Sequence, residues 1–267
     1  MRVAALQLST SKDKAENLAK MRTWVGKINP SKPDLVIFPE AYMFYSPGEP
    51  REVVYEKAES LDGSWVNSVS NIAKDHNVPI VVGMFERDRE TRRVFNTTLF
   101  VNSHGELEHV YRKSHLYDAF GYKESDIFSK GNGPLNIVTL NDVKFGLCIC
   151  YELRFPEVAR TYALNGADLL VIPTAWVRGY LKEEHLLTLA KARSIENAMY
   201  VAISAQIGGI YTGIASIFDP MGVPVSRANE TESYAICEIS RERIVEVRQK
   251  MPVLGQRRSD LYKLQDP

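Results

Sequence analysis

The apolar residues of this chain follow two kinds of repeat, one of two residues and one of three to four. From Val143 to Ile149, every second residue is a large apolar one, which is the period of a strand. Between residues 15 and 28, apolar residues recur every three or four positions and give a helix one apolar face. Short, wholly apolar runs such as Leu35–Phe38 are typical of strands covered on both faces. The pattern therefore predicts a layered α/β protein with helices outside its sheets.

These criteria predict elements along the whole chain. Strands are predicted at 3–8, 35–38, 80–84, 94–102, 106–111, 143–150, 169–172, 201–205, 214–218 and 234–239. Helices are predicted at 15–28, 64–76, 156–165 and 183–196, and from 241 onward. Pro173 is expected to stop its strand, and the segments 41–50 and 112–133 read as loops that serve a site. Because hairpins join some strands and helices separate others, we expect mixed sheets in one domain spanning 1–267.

Composition narrows the class of protein. The formal net charge of the chain is zero, which does not favour a polyanionic partner such as nucleic acid. No apolar run approaches the roughly 20 residues of a transmembrane helix, and the first ten residues are too short for a signal peptide. The three cysteines are an odd, sparse set that argues against a disulfide scaffold. We expect a reduced, cytoplasmic enzyme that acts on a small molecule and has no nucleic-acid or membrane partner.

Three reactive side chains lie at or just beyond the ends of predicted strands: Glu40, Lys113 and Cys150. A free thiol is only a few per cent ionised at neutral pH, so a nearby carboxylate must take its proton during attack. An ammonium stabilises the thiolate and then an oxyanion. Together the three groups would suffice to hydrolyse a carbon–nitrogen bond through a thioester. Taken singly, each also reads as a structural residue: a packed cysteine, a solvated carboxylate and an exposed lysine.

Other residue sets point to weaker alternatives. Cys148 and Cys150 begin a Cys-x-Cys pattern, but no further Cys or His pair completes a zinc site, so no metal or cofactor is predicted. His115 is a second candidate base for Cys150. The glycines at 131 and 133 lack the strand–helix context of a phosphate loop. Three charged residues after the cysteine are expected to form an ion-pair cluster that anchors the turn: Glu152, Arg154 and Glu157.

Three blocks of sequence resemble the signatures of the nitrilase, or carbon–nitrogen hydrolase, superfamily, and they occur in that family's order. They are VIFPE ending at Glu40, YRKSHLYD carrying Lys113 and CYELRFPE starting at Cys150, with a similar tail, RQKMPVLGQRRSDLY. The resemblance implies that Glu40 is the general base and acid, Lys113 the oxyanion stabiliser and Cys150 the nucleophile. It further implies that Glu124, in YKESDIFSKGNG, orients the lysine and the substrate amino group. The backbone amide of Tyr151 would complete the oxyanion hole.

The same resemblance implies a four-layer α-β-β-α sandwich with mixed sheets, assembled into homodimers or higher homo-oligomers. Within the superfamily, the stretch from Ala175 and the closing RRSDLY are similar to the omega-amidase and deaminated-glutathione amidase branch. That branch implies a cofactor-independent amidase that releases ammonia from a small carboxamide, a dicarboxylic acid monoamide being one candidate. An N-carbamoyl hydrolase or a nitrilase would use the same three residues, and a non-catalytic binding or assembly protein is the alternative of another class.

The acyl pocket is where the chain departs from that branch. Val177 to Tyr180 replaces a stretch of small residues and His-Trp, so the substrate of those amidases cannot be carried over. Arg178 either pairs with a substrate carboxylate or is a solvated loop residue. Trp176 and Tyr45, with the neighbouring aromatics Tyr42 and Phe44, either wall the pocket or pack in the core.

Overall fold

The computed structural model describes residues 1–262, in which helices and strands alternate along most of the chain. The strands are β1 (Arg2–Leu8), β2 (Leu35–Ile37), β3 (Ile80–Asp88), β4 (Arg93–Val101), β5 (Leu107–Arg112), β6 (Asp118–Ala119), β7 (Tyr122–Lys123), β8 (Val138–Leu140), β9 (Val143–Leu147), β10 (Leu169–Thr174), β11 (Tyr200–Gly208), β12 (Tyr211–Thr212), β13 (Ser216–Phe218), β14 (Pro224–Arg227) and β15 (Ser233–Glu238). The α-helices are α1 (Lys14–Ile28), α2 (Arg51–Lys57), α3 (Ser64–His76), α4 (Pro156–Leu164), α5 (Lys182–Asn197) and α6 (Arg241–Lys250). Every predicted helix and strand is present, whereas α2 and the short strands β6, β7, β8, β12 and β14 were not predicted.

Thirteen strands form one continuous sheet with two halves that are joined along one line, and β6 and β7 pair in a separate two-stranded sheet. The hydrogen-bonded order is β5-β4-β3-β2-β1-β11-β10-β9-β8, and within it the six strands from β3 to β9 are parallel to one another. β1 and β11 pair only at their ends, where Gln7 faces Ala205 and Leu8 faces Gln206. Before that point β1 pairs with β15, and β11 pairs with β13. The two halves therefore splay apart and face each other.

Burial on the two faces of β1 shows how the layers are stacked. Val3 and Ala5 belong to a core shared with β9, β10 and β11, so this face of the sheet meets the opposite sheet. Ala4 and Leu6 instead pack in a second core with residues of α1 and α3, while α4 and α5 cover the other sheet. This arrangement, with both faces of each sheet covered, confirms the predicted α-β-β-α sandwich.

Two predicted strand ends were wrong. β9 ends at Leu147, and Cys150 begins a 3₁₀ helix that runs to Arg154. Pro173 does not stop β10, because the pairing with β9 already ends at Val171 and the missing proline amide is tolerated there. The helix start at Pro156 and the turn at Gly166, which has φ +88°, are confirmed. The last five residues of the predicted 1–267 domain lie outside the described residues. Among those described, no helix has the length and apolarity needed to cross a bilayer.

Candidate active site

The functional candidates meet at one edge of the sandwich. Each of four strands is followed by a residue of the site: β2 by Glu40, β5 by Lys113, β9 by Cys150 and β10 by Ala175. These four strands run in the same direction. The carboxyl ends of such strands lie together, which is where α/β sheets bind ligands. A cavity of about 340 Å³ opens at this edge and is lined by all four residues. The loop that precedes α2 lines it too, as predicted for 41–50.

Glu40 is buried, and both of its carboxylate oxygens accept hydrogen bonds. Its Oε1 accepts hydrogen bonds from the Lys113 Nζ at 2.9 Å and the Asn96 Nδ2 at 2.7 Å, and its Oε2 accepts one from the Ala175 amide at 2.8 Å. The backbone around it depends on Gly83 of β3, since a Cβ at that position would lie 2.4 Å from the amide nitrogen of Ala41. Glu40 is therefore fixed in position by its backbone and by three donors.

Lys113 is shared between two carboxylates. Its Nζ lies 2.9 Å from an oxygen of Glu40 and 2.9 Å from an oxygen of Glu124, and its side chain is 2% exposed. Burial by itself would lower the pKa of Lys113, but the negative charges of Glu124 and Glu40 outweigh it and raise that pKa well above its usual value. The ammonium is thus positively charged at physiological pH, beside the cavity.

Asn96, in the middle of β4, was not predicted as a site residue. Its amide group donates to Glu40 at 2.7 Å and to Glu124 at 2.9 Å, so it bridges the two carboxylates that hold the lysine. The signal in the sequence is an amide within the otherwise apolar start of a buried strand, VFN. Such a residue must find polar partners inside the protein, and here it finds both glutamates.

Cys150 lies where the chain turns sharply. Its φ is +47°, a left-handed conformation that is costly for a residue with a Cβ and is often found at functional sites. Burial raises the pKa of the Cys150 thiol well above its usual value, and the charge of Glu40 and a hydrogen bond with it act in the same direction. The attraction of Lys113 opposes this rise but is smaller. The resting sulfur therefore carries its proton.

Glu152 anchors the turn that carries Cys150, although not through the ion pairs that were predicted. Its two oxygens accept hydrogen bonds from the amides of Ile149 and Ser114 and from the Tyr111 hydroxyl, among others. Burial opposes its ionisation, yet hydrogen bonds from the side chains of His115 and Ser114 and from the amides of Ile149 and Ser114 keep the pKa of Glu152 below its usual value. Glu152 needs no ion pair, because hydrogen bonds already satisfy its buried carboxylate. Arg154 instead stacks on Trp176, and Glu157 is exposed on α4.

The amide of Tyr151 lies in the first turn of the 3₁₀ helix. The first amides of a helix have no acceptor within the helix, so they are free to bind an anion. Tyr151 also lines a small recess that adjoins the cavity and shares Cys150 with it. This position suits the predicted contribution to an oxyanion hole, which stays a prediction.

The predicted substrate-binding residues differ in how close they come to the cavity. Arg178 lines the rim, is exposed, and its Nε donates to the Tyr211 carbonyl at 2.7 Å. Trp176 walls the recess beside Cys150. Tyr45 does not line the cavity; its ring packs edge-on against Tyr211, which does. The neighbouring aromatics Tyr42 and Phe44 are core residues.

Several cavity residues were not recognised in the sequence. The hairpin β6–β7 contributes Phe120 and Tyr122, and the preceding loop contributes Tyr117. Lys182, at the start of α5, also lines the cavity and contacts Tyr117 and Phe120. These residues carry no motif, and only the aromatic content of 112–133 hinted at them.

The alternative interpretations of His115 and Cys148 find little support in the geometry. The His115 ring stacks on Phe155 with centroids 4.0 Å apart, its Nδ1 lies 2.9 Å from the Ser114 Oγ, and it does not line the cavity. Cys148 is buried in the core shared by the two sheets. Within residues 1–262, no group of three or more His, Cys, Asp or Glu side chains is arranged to hold a metal ion.

Comparison with known proteins shows which family the chain belongs to. The profile of the carbon–nitrogen hydrolase family matches residues 2–249. The chain belongs to the carbon–nitrogen hydrolase family. A deaminated glutathione amidase of Escherichia coli is 31% identical to it over 258 residues, which cover 97% of each protein. An omega-amidase of Saccharomyces cerevisiae is 33% identical over 282 residues, which cover 98% of this chain and 94% of that protein.

A crystal structure supports the same assignment. It shows the same Saccharomyces cerevisiae protein, a member of branch 10 of the nitrilase superfamily, and superposes with a TM-score of 0.86 at 28% identity in the structural alignment. The match covers 97% of this chain and 96% of that one. The predicted family and nitrilase-like fold are confirmed, and this carbon–nitrogen hydrolase is an enzyme that acts on carbon–nitrogen bonds. The roles of its individual site residues stay predictions.

Proposed function

We propose that this carbon–nitrogen hydrolase is a cofactor-independent thiol amidase that cleaves a small carboxamide through a thioester on Cys150 and releases ammonia. The observation that carries the proposal is the buried group of Glu40, Lys113 and Glu124 beside the Cys150 thiol. The names of the two relatives, both amidases, support the reaction class. A cavity of about 340 Å³ suits a small molecule.

The first step joins the sulfur to the substrate. Because the raised pKa keeps the Cys150 thiol protonated, Glu40 takes that proton while the sulfur bonds to the carbonyl carbon. The carbonyl oxygen becomes an oxyanion, which the charged Lys113 ammonium and the Tyr151 amide stabilise. Glu124 and Asn96 keep the lysine and Glu40 in place during this step.

The second half of the reaction returns the enzyme to its starting state. Glu40 passes its proton to the substrate nitrogen as the carbon–nitrogen bond breaks, and ammonia leaves a thioester behind. Water then attacks the thioester carbon while Glu40 takes a proton from it. The carbon–sulfur bond breaks, the sulfur regains a proton, and the carboxylic acid product departs.

Three wider predictions accompany this proposal. They are a single domain over 1–267, a homodimer or higher homo-oligomer, and a cytoplasmic location. The match of the family profile to residues 2–249 supports the first of them. The other two stay predictions from the sequence and the family resemblance.

The test is ammonia release from a panel of short amides, N-carbamoyl compounds and nitriles. We expect stoichiometric ammonia from amides, loss of release in Cys150→Ala, and retained release in the matched control Cys148→Ala, whose sulfur lies in the core. A trapped acyl group should add its mass to Cys150. Full release by Cys150→Ala would exclude the mechanism.

The same panel separates the alternatives. Carbon dioxide released together with ammonia would indicate an N-carbamoyl hydrolase, and turnover of nitriles would indicate a nitrilase. A binding or assembly protein would show no turnover, and an alkylating reagent would not select Cys150 over Cys148 and Cys237.

A further inference from the structure

Gln206, in β11, is a buried residue that contacts the backbone beside the proposed base. It is 1% exposed, and its Nε2 donates to the Glu40 carbonyl at 2.7 Å and to the Ala41 carbonyl at 3.3 Å. Because both partners are carbonyl oxygens, the nitrogen of the side-chain amide must face them. The Thr10 hydroxyl donates to the Gln206 Oε1 at 2.7 Å, which fixes the same orientation. Within residues 1–262, no other side chain donates to either carbonyl.

These hydrogen bonds join the two halves of the large sheet. Glu40 follows β2 in one half, whereas β11 belongs to the half that leads to Cys150. Gln206 faces Leu8, the last residue of β1, so its side chain reaches past the end of β1 to the residue after β2. The base and the nucleophile come from different halves, and Gln206 is therefore a link that sets how far apart they lie.

The turn that Gln206 holds is in an unfavourable conformation. Ala41 has φ +51°, a left-handed conformation that is costly for a residue with a Cβ. Such a conformation persists only where the surrounding structure fixes it. Gly83 limits the turn from the side of β3, and the amide of Gln206 holds it from the side of β11. Without this amide, we expect the turn to relax and the Glu40 carboxylate to move with it.

We propose that Gln206 is a positioning residue that acts through the backbone of Glu40 and keeps the Glu40 carboxylate within reach of the Cys150 thiol. This role rests on the proposed amidase function and adds to it a residue that does not line the cavity. Proton transfer requires the two groups to stay within hydrogen-bond distance, and small displacements from that geometry lower the rate steeply. The cavity wall that binds the substrate is unchanged, so removal of Gln206 should lower kcat and leave KM almost the same.

The first experiment replaces the amide by an apolar chain of similar length. In Gln206→Met, kcat for ammonia release should fall about 10- to 100-fold, while KM changes less than about threefold. Gln7→Met is the matched control, because Gln7 is another glutamine that is 1% exposed, and it donates to the carbonyls of Asn229 and Thr231 instead. Both variants lose a buried amide and should melt at a lower temperature, but kcat of the control should change less than about threefold. Equal losses of kcat in the two variants would overturn the proposal.

A milder variant covers the case in which Gln206→Met does not fold. Thr10→Val keeps Gln206 but removes the hydroxyl that orients its amide, so kcat should fall about two- to fivefold with little change in KM. Thermal melting establishes that each variant is folded. An unchanged kcat in Thr10→Val, together with an unfolded Gln206→Met, would assign Gln206 to stability alone and overturn its positioning role.

Alkylation of Cys150 tests the positioning role without any amide turnover. With iodoacetamide, the Cys150 sulfur bonds to the methylene carbon, iodide leaves, and Glu40 takes the thiol proton. The alkylation rate at neutral pH, read from the mass of the peptide that carries Cys150, should fall about 10- to 100-fold in Gln206→Met and less than about threefold in Gln7→Met.

The two readouts separate this role from the proposed reaction. An unchanged alkylation rate in folded Gln206→Met, or no alkylation of Cys150 in the wild type, would overturn the role of Gln206. A wild type that releases no ammonia from any amide would instead refute the proposed reaction, and the alkylation result would still stand.

Discussion

The two ends of the cavity differ in how deeply their side chains are buried and how firmly hydrogen bonds hold them. At the catalytic end, Glu40, Lys113 and Glu124 are almost completely buried, and each is held by several hydrogen bonds. On the opposite wall, Phe120 is 69% exposed and Lys182 has no carboxylate partner in the described chain. Chemistry requires groups fixed to a fraction of an ångström, whereas substrate choice depends on a wall that can accept one acyl group or another.

The contrast also concerns electrostatics. The carboxylate-rich end raises the pKa of Lys113, while burial and the charge of Arg154 lower the pKa of Lys182. The pKa values of two lysines that face one cavity are therefore shifted in opposite directions. The first is a permanent cation for the reaction, and the second has a charge that pH or a bound anion can alter.

The largest expected effect comes from removing the base. Glu40→Gln keeps the shape of the side chain but cannot accept the thiol proton, so kcat for ammonia release should fall about 100- to 10,000-fold. Glu86→Gln is the matched control, because Glu86 is an equally buried carboxylate that pairs with Arg112 and does not line the cavity. If Glu40→Gln retained more than a tenth of the wild-type kcat, Glu40 would not be the base of the reaction.

Removing the shared cation should cost stability as well as activity. Lys113→Met leaves Glu40 and Glu124 facing each other in a buried site, so the free energy of unfolding at pH 7 should fall by about 3–5 kcal/mol. Urea unfolding measures this change. Lys144→Met, which removes an exposed lysine from β9, should have a much smaller effect.

The pH dependence of that loss has a definite sign. Because the folded-state pKa of Lys113 is raised, its contribution is fully present below the unfolded value of about 10.5. The contribution is lost as the pH rises through the folded value. The difference in stability between wild type and Lys113→Met should therefore stay constant up to about pH 10 and shrink above it. A difference that grows with pH would contradict the assignment.

A smaller effect is expected for Asn96, which bridges the carboxylates of Glu40 and Glu124. Asn96→Ala removes the donor that Glu40 and Glu124 share, and kcat should fall about 10- to 100-fold while KM changes less. Asn102→Ala is the control, since Asn102 follows the same strand but bonds to Glu106 and Glu108 on the β4–β5 hairpin. Equal losses in the two variants would mean that Asn96 acts on stability alone.

The same contrast explains what the sequence could predict. Glu40, Lys113 and Cys150 were predictable because each follows an apolar run or lies in a family motif, and because parallel strands end at one edge. Asn96 was missed because its bridging role depends on two glutamates from other strands. The position of Cys150 beyond the end of β9 was missed because the alternation of apolar residues continues after the strand hydrogen bonds stop.

The opposite wall was predictable only in outline. Lys182 enters the cavity because Leu181, with φ +57°, reverses the chain just before α5, and no residue pattern announces such a turn at a leucine. Tyr45 and Trp176 could be proposed for the pocket, but an aromatic residue suits a core equally well. Which of these side chains reach a cavity is decided by tertiary packing, which spacing along the chain does not encode.

The last prediction tests the tuning of the second lysine. Burial, and then the charge of Arg154, lower the pKa of Lys182. The ammonium should therefore lose its proton at a pH below the usual lysine value of about 10.5, which a pH titration of the Lys182 side chain by NMR should detect.

Lys182→Arg identifies the signal, because the lysine resonance is absent from this variant and its guanidinium stays protonated throughout this range. Lys113 cannot produce the same signal, since its pKa is raised rather than lowered. If Lys182 lost its proton only at or above the usual lysine value, the two ends of the cavity would not differ in the way their charges indicate.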